Sequence, residues 1–278
     1  MTPHDSQSPS VVYHSYGYRR WGVALVVLLS LAIPPSGLFG CRSTVDSHTT
    51  LLVGAAISLQ PVLDTAVARF VSRGGEIEIT VSYAGSGAIR RQVEFGAPID
   101  LYLSAAPDHI DSLEAQDLTL PGSRTALASN TLVLIMSIQH APIAEMTDLR
   151  LGGISRIAIG QPDIVPAGRY AYQVLDRTGE LSDLQEKLVY TKDVQQVLVY
   201  VQAGIVDAGF VYASNVLASS PVRVIQIIPD SLHAPIVYEG IVTRRSENAG
   251  AAREFLAYLV SDSVQTLFKA HGFLPARE

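Results

Sequence analysis

Only one cysteine, Cys41, occurs among the 278 residues, so no intramolecular disulfide can form and a cluster of thiolate metal ligands is out of reach. Charge is scarce as well: 17% of residues are Asp, Glu, Lys or Arg against 48% hydrophobic. Such a chain can bury a sizeable core and lacks the composition of a disordered polymer. Basic character is missing too. The net charge is -6, and because residues 1–40 contribute Asp5, Arg19 and Arg20, the remainder carries -7. Nucleic-acid binders concentrate Lys and Arg to neutralise phosphates, so no nucleic-acid partner is expected. The same surface gives no long-range attraction for a small anion, and any anion site must work through local donors. The seven histidines, His4, His14, His48, His109, His140, His233 and His271, show no metal-ligand spacing. There is no P-loop, and Ser86 lies in G-S-G, not in the G-x-S-x-G of a nucleophile elbow. Asp163 and Asp207 stand beside turns, where carboxylates are commonly caps or surface groups. No enzyme activity, no cofactor and no directly ligated metal cation are expected.

What is present begins with an export segment. Arg19 and Arg20 precede the apolar run Trp21 to Ile33, which has the length of a signal-peptide h-region and is short for a membrane span. Pro34 and Pro35 end it. Cys41 follows Leu38, Phe39 and Gly40, and this tetrad resembles the lipobox at which bacterial lipoproteins are cleaved and acylated. Residues 1–40 are therefore expected to be a lipoprotein signal peptide, Cys41 the lipidated first residue and 41–50 a polar tether. An ordinary signal peptide with an incidental cysteine is the alternative. The protein is expected outside the cytoplasm, periplasmic or on the outer face of the cytoplasmic membrane, held there by the lipid.

After Thr50 short apolar runs alternate with amphipathic stretches, the pattern of βα units on a largely parallel sheet. Leu51 to Ala55 reads as a buried strand. Val62, Leu63, Ala66, Val67, Phe70 and Val71 share one helical face, with Pro61 suited to the first turn and Gly74 and Gly75 ending the helix. Ile77, Ile79, Val81 and Tyr83 alternate as a second strand. A helix is predicted from Ala88 to Phe95, a strand over 100–104 and a helix opening at Pro107. Further strands are predicted near Leu132–Met136, Arg156–Ile159, Ala208–Val211, Val222–Ile228 and Ile236–Thr243. Two closing helices contain Phe255, Leu256 and Leu259, then Val264 and Leu267. Two α/β clusters and a tail able to rejoin the first make a two-lobed, twice-crossed α/β architecture the economical reading. A single continuous sheet is the alternative.

Three turns share a layout in which a strand ends in small residues and a helix begins at once: Gly54-Ala55-Ala56-Ile57-Ser58, Ala84-Gly85-Ser86-Gly87-Ala88 and Val165-Pro166-Ala167-Gly168. The first turn of a helix offers unpaired N–H groups and the positive end of its dipole, and small residues let an anion approach the backbone. In open α/β sheets such turns lie where ligands bind. Plain N-capping is the better account of Ser58 or Ser86 taken singly; several such turns in one chain, together with Tyr212, shift the balance towards a site. For Tyr212, after the apolar strand Gly209-Phe210-Val211, the alternative is a partly buried ring whose hydroxyl finds an internal partner.

At these residues the sequence resembles the periplasmic molybdate-binding proteins of ABC transporters, over nearly all of residues 51–274. The matching strings are Ala55-Ala56-Ile57-Ser58-Leu59, Arg91 through Asp100 (RQVEFGAPID), Val165 through Tyr170 (VPAGRY) and Gly209 through Ser214 (GFVYAS). The resemblance implies a type II periplasmic binding protein fold, with residues 51–129 and 235–278 forming lobe 1, residues 130–234 forming lobe 2, and two crossover strands near 129–131 and 234–237 as the hinge. It implies an oxyanion, molybdate or tungstate, held by the hydroxyls of Ser58 and Ser86, the amides of Ala167 and Val194 and the phenol of Tyr212. It also implies a permease and an ATPase as partners of a monomer. Gly85 and Gly87 stand where the family often has serines, and Ile57 where alanine is frequent, which bears on pocket size. The same fold binding sulfate or phosphate is the nearest alternative function, and an anion-sensing regulatory domain is one from another class.

Overall fold

The computed structural model describes residues 49–74, 77–140, 143–216 and 221–276. The export segment, Cys41 and most of the expected tether lie outside the described residues. The chain runs β1 (Thr49–Ala56), α1 (Gln60–Val71), β2 (Ile77–Ala84), α2 (Ser86–Glu94), β3 (Leu101–Ser104), α3 (Pro107–Ala115) and β4 (Thr125–Ser129). It continues with β5 (Leu132–Ser137), β6 (Ile157–Gly160), α4 (Pro166–Arg177), the one-turn α5 (Leu181–Leu184), β7 (Leu188–Thr191), α6 (Val194–Gln202), β8 (Ala208–Tyr212) and β9 (Val222–Ile227). It closes with β10 (Val237–Val242), α7 (Ala249–Leu259) and α8 (Asp262–Ala270).

The strands form two five-stranded mixed sheets, ordered β2-β1-β3-β10-β4 and β7-β6-β8-β5-β9. In the first, β1 runs parallel to β2 and β3. In the second, β6 runs parallel to β7 and β8. The antiparallel member of each, β10 or β5, is the strand that enters from the other sheet, and both of its neighbours run against it. Two chain crossings therefore join two α/β units. At the crossings Ser129 pairs with Val237, and the Asn130 amide donates to the Ile236 carbonyl at 3.3 Å.

Periodicity accounts for the elements. Along β2 the odd positions from Ile77 to Tyr83 pack on the core while Glu78, Thr80 and Ser82 face water. In α1, Val62, Leu63, Ala66 and Phe70 are buried, with Pro61 in the first turn. Val71, expected on that face, is exposed, because at 100° per residue it falls about 125° from the middle of the face that Val62, Leu63, Ala66 and Phe70 bury. β1 starts at Thr49, so its first two residues come from the stretch expected as tether. Two strands escape the sequence reading, β4 and β7, each at the edge of its sheet.

The buried imidazole of His109 on α3 ties the fold to pH. Desolvation is the largest cause of its lowered pKa, about 4 against the ordinary 6.5, with Arg169 and Arg90 pushing the same way and Asp108 and Glu94 opposing. Between pH 6.5 and 4 the unfolded chain binds a proton that the folded chain refuses. Stability is therefore intact above 6.5 and falls as pH drops through that window, by about 3 kcal/mol in full. The pH dependence of the melting temperature should flatten there in His109→Gln; a variant curve parallel to wild type refutes this.

Candidate functional site

Six strand ends converge at their carboxyl sides. Those of β1, β2 and β3 come from one sheet, those of β6, β7 and β8 from the other. Between them lies a small cavity of about 10 Å³, lined by Ala56–Ser58, Ala84–Ser86, Ala105, Val165–Ala167, Val194 and Tyr212. All five residues singled out in the sequence, Ser58, Ser86, Ala167, Val194 and Tyr212, line this one cavity. No lining residue carries a formal charge. The volume is about what a single water needs and far below the roughly 300 Å³ at which pockets for drug-sized ligands begin, so only a very small guest has a place between these turns.

The two serines are not N-caps. Ser58 lies within a single 3₁₀ turn, Ile57–Leu59, and the residue preceding α1 is Leu59. Helix α2 begins at Ser86, two residues earlier than Ala88, with Gly85 as its cap residue, and ends at Glu94, leaving Phe95 exposed. Both serine side chains are free to face the cavity because neither is used by its own helix. Ser86 is held from two sides: the Ala105 amide donates to its Oγ at 3.0 Å, and the Tyr102 hydroxyl donates to its carbonyl at 2.9 Å. An N–H can only donate, so the Ser86 hydroxyl proton remains for the cavity. Ser58 Oγ lies 2.9 Å from the Tyr238 hydroxyl.

The two amides are first-turn groups with no acceptor inside their helices. Ala167 follows Pro166 at the start of α4. The loop before it folds back so tightly that a Cβ on Gly168 would lie 1.8 Å from the Gly160 carbonyl oxygen, which admits only glycine and aims the start of α4 at the cleft. At α6 the Asp193 side chain caps the Gln196 amide at 2.8 Å. Val194, the residue before those capped positions, keeps its amide.

Tyr212 ends β8 with its ring fully buried, and among the described residues its hydroxyl has no hydrogen-bond partner. The alternative reading, an internal partner for this hydroxyl, finds none among the described residues. Buried polar groups are almost always satisfied, so a partnerless hydroxyl at a cavity wall is a group able to donate to a guest there. Desolvation raises the phenol well above its ordinary pKa, with Tyr238 and Tyr170 adding to the effect, so it stays a neutral donor. Asp207, by contrast, accepts the amides of Ser155 and Arg156 at 2.7 and 2.9 Å, a structural role.

Two contacts hold the units together beside the cavity. The Gly87 amide donates to the Ile164 carbonyl at 2.9 Å, and Arg169 on α4 makes a bidentate pair with Asp108 on α3, one arm at 2.7 Å. Tyr102, Ala105 and Tyr238 were invisible as site residues in the sequence, since their partners lie far along the chain.

Two α/β units whose small-residue turns bring uncharged donors to one small cavity define a two-lobed solute-binding protein. The chain belongs to the bacterial extracellular solute-binding protein family, whose profile matches residues 51–274. Among its relatives, YvgL of Bacillus subtilis is 31% identical over 92% of this chain and 98% of its own length, and its name marks it as a candidate ABC transporter substrate-binding lipoprotein. The molybdate-binding protein ModA of Escherichia coli is 31% identical over 80% of this chain and 88% of its own. The solved periplasmic molybdate-binding protein of Azotobacter vinelandii superposes with a TM-score of 0.73 at 26% identity, covering 82% of this chain and 100% of that one. The family is one of binding proteins, not of enzymes.

Proposed function

We propose that the protein captures molybdate or tungstate between its two lobes outside the cytoplasm and delivers it to the permease and ATPase of an ABC importer. The observation that carries this reading is the buried, partnerless hydroxyl of Tyr212 on the wall of an uncharged cavity that Ser58, Ser86, Ala167 and Val194 also line. In the proposal these five groups donate to one tetrahedral dianion. Hydrogen bonds to a charged group contribute about 1.5 to 3 kcal/mol each. Five together are of the size that a nanomolar complex requires, about 12 kcal/mol. Residues 51–129 with 235–278 act as one lobe and residues 130–234 as the other, closing by a hinge about the two crossings. Anchoring through Cys41 rests on the LFGC tetrad and on the likeness to YvgL.

Donor chemistry favours a fully ionised guest. Ser86 has one acceptor site engaged by the Ala105 amide, and the amides of Ala167 and Val194 offer only protons. A protonated phosphate brings a proton that only the hydroxyl oxygens here can accept, whereas molybdate, tungstate and sulfate bring none and leave every donor free to bind. Size then separates the remaining three, because a smaller tetrahedron cannot hold every donor at about 2.7 to 3.2 Å. Calorimetric titration of the exported form with the four anions tests the reading. One-to-one binding of molybdate and tungstate, at least about 100-fold tighter than sulfate, is expected, a gap of some 2.7 kcal/mol; tighter binding of sulfate or phosphate overturns it.

A further inference from the structure

We infer that Tyr238 and Asn130 are positioning residues that fix the direction of the Ser58 hydroxyl, Asn130 donating to Tyr238 and Tyr238 to Ser58, so that the Ser58 proton is left for the guest. The inference rests on the oxyanion reading above and concerns residues outside the cavity lining.

The argument begins at a group whose orientation is forced. The Thr131 amide donates to Asn130 Oδ1 at 2.9 Å, and since a backbone N–H has no acceptor role, the oxygen of the Asn130 side chain must face it. Nδ2 therefore points the other way, where it lies 2.7 Å from Ser214 Oγ and 3.4 Å from the Tyr238 hydroxyl. One amide proton serves each, the second contact being the longer and weaker. Tyr238 is fully buried, and its oxygen has two polar neighbours, Asn130 Nδ2 and Ser58 Oγ. With a donor arriving from Asn130, the phenolic proton has one acceptor, Ser58 Oγ at 2.9 Å. The reverse order would leave that proton buried without an acceptor, the costly arrangement for a polar group in a core.

The ring cannot swing away. Tyr238 meets Tyr212 edge-on at a centroid distance of 5.9 Å and Phe273 at 5.3 Å. Ser58 thus parallels Ser86, whose Oγ accepts from the Ala105 amide: each hydroxyl is approached from behind by a donor and offers its own proton forward. A chain of donors ending on an anion is strengthened as each bond polarises the next. Asn130 and Tyr238 also lie at the two crossings between the sheets, so closing the hinge and orienting Ser58 involve the same side chains.

Tyr238→Phe keeps the ring and removes the proton. Calorimetry with molybdate on wild type, Tyr238→Phe, Ser58→Ala and the double variant, with melting temperatures of each ligand-free protein, tests the inference. Tyr238→Phe is expected to weaken binding about tenfold, and the same change in the Ser58→Ala background less than about twofold, the non-additivity of residues acting through one bond. Equal losses in both backgrounds, or no loss in either, overturn it; a packing defect would lower the melting temperature and weaken both alike. Wild type that takes up no oxyanion sinks the reading it rests on instead, and neutron diffraction from the deuterated protein then decides the proton order. A deuteron on Tyr238 pointing at Ser58 is expected, and a Ser58 deuteron pointing at Tyr238 overturns the inference.

Discussion

Replacing Ser58 and Ser86 together with alanine is expected to weaken molybdate binding by about 100-fold to 10,000-fold, the loss of two hydrogen bonds to a charged guest at about 1.5 to 3 kcal/mol each. The two serines supply the whole side-chain contribution of their lobe, since the other cavity residues there are Ala56, Ile57, Ala84, Gly85 and Ala105. A guest gripped from the opposite lobe alone gains little from closing. The single variants should differ in a way that separates binding from stability. Ser86→Ala strands the buried Ala105 amide, which Ser86 Oγ accepts at 3.0 Å, so its ligand-free melting temperature should drop along with its affinity. The measurements are calorimetric affinity and thermal melting without ligand. A double variant that binds within tenfold of wild type removes the serines from the site.

Gly87→Ala should act by keeping the lobes apart. A Cβ at this position would lie 2.7 Å from Ile164 Cα and 3.0 Å from its carbonyl oxygen, both backbone atoms that cannot step aside. The Gly87 amide donates to that same carbonyl at 2.9 Å, so there is no slack in the contact. In an open protein the added methyl meets solvent and the helix tolerates it, alanine being the better helix former. Ligand-free stability should therefore match or exceed wild type. Closure should stop short, and with the three second-lobe donors at lengthened distances the affinity should fall about 100-fold, two such bonds lost. Small-angle scattering with saturating molybdate should show the wild type contracting and the variant contracting less. Equal contraction and affinity within threefold of wild type would show that Gly87 does not gate closure. The glycines that stand where the family often has serines thus acquire a steric meaning: they let one backbone touch another across the cleft.

Much of this architecture was legible in the residue pattern, element by element. The alternation in β2 and the apolar face of α1 follow from periods of 2 and 3.6 with one side buried. The strands that escaped notice, β4 and β7, are edge strands with one neighbour each, so Thr125–Ser129 and Leu188–Thr191 need no long apolar run and present none. The start of α2 was misplaced because Gly85, Ser86 and Gly87 look like a loop, whereas the helix begins at Ser86 to bring its hydroxyl to the cavity. Val71 shows the converse, an apolar residue at the end of α1 that lies out of phase with the buried face, so its apolarity alone misplaced it.

Composition and local chemistry pointed to local donors for any anion site and to three of its turns: little charge, no clustered ligands, and small residues where strands give way to helices; the Val194 amide and the Tyr212 phenol came from the resemblance to molybdate-binding proteins. These properties belong to a residue and its near neighbours, so they survive in the linear text. Folding decided what depends on partners far along the chain. Only the packed lobes bring Ser58 to Tyr238, 180 residues away, set the Ala105 amide behind Ser86, and leave the Tyr212 hydroxyl without a partner. A hydroxyl can give or take a proton, and which of the two it does is settled by the atoms that surround it in space.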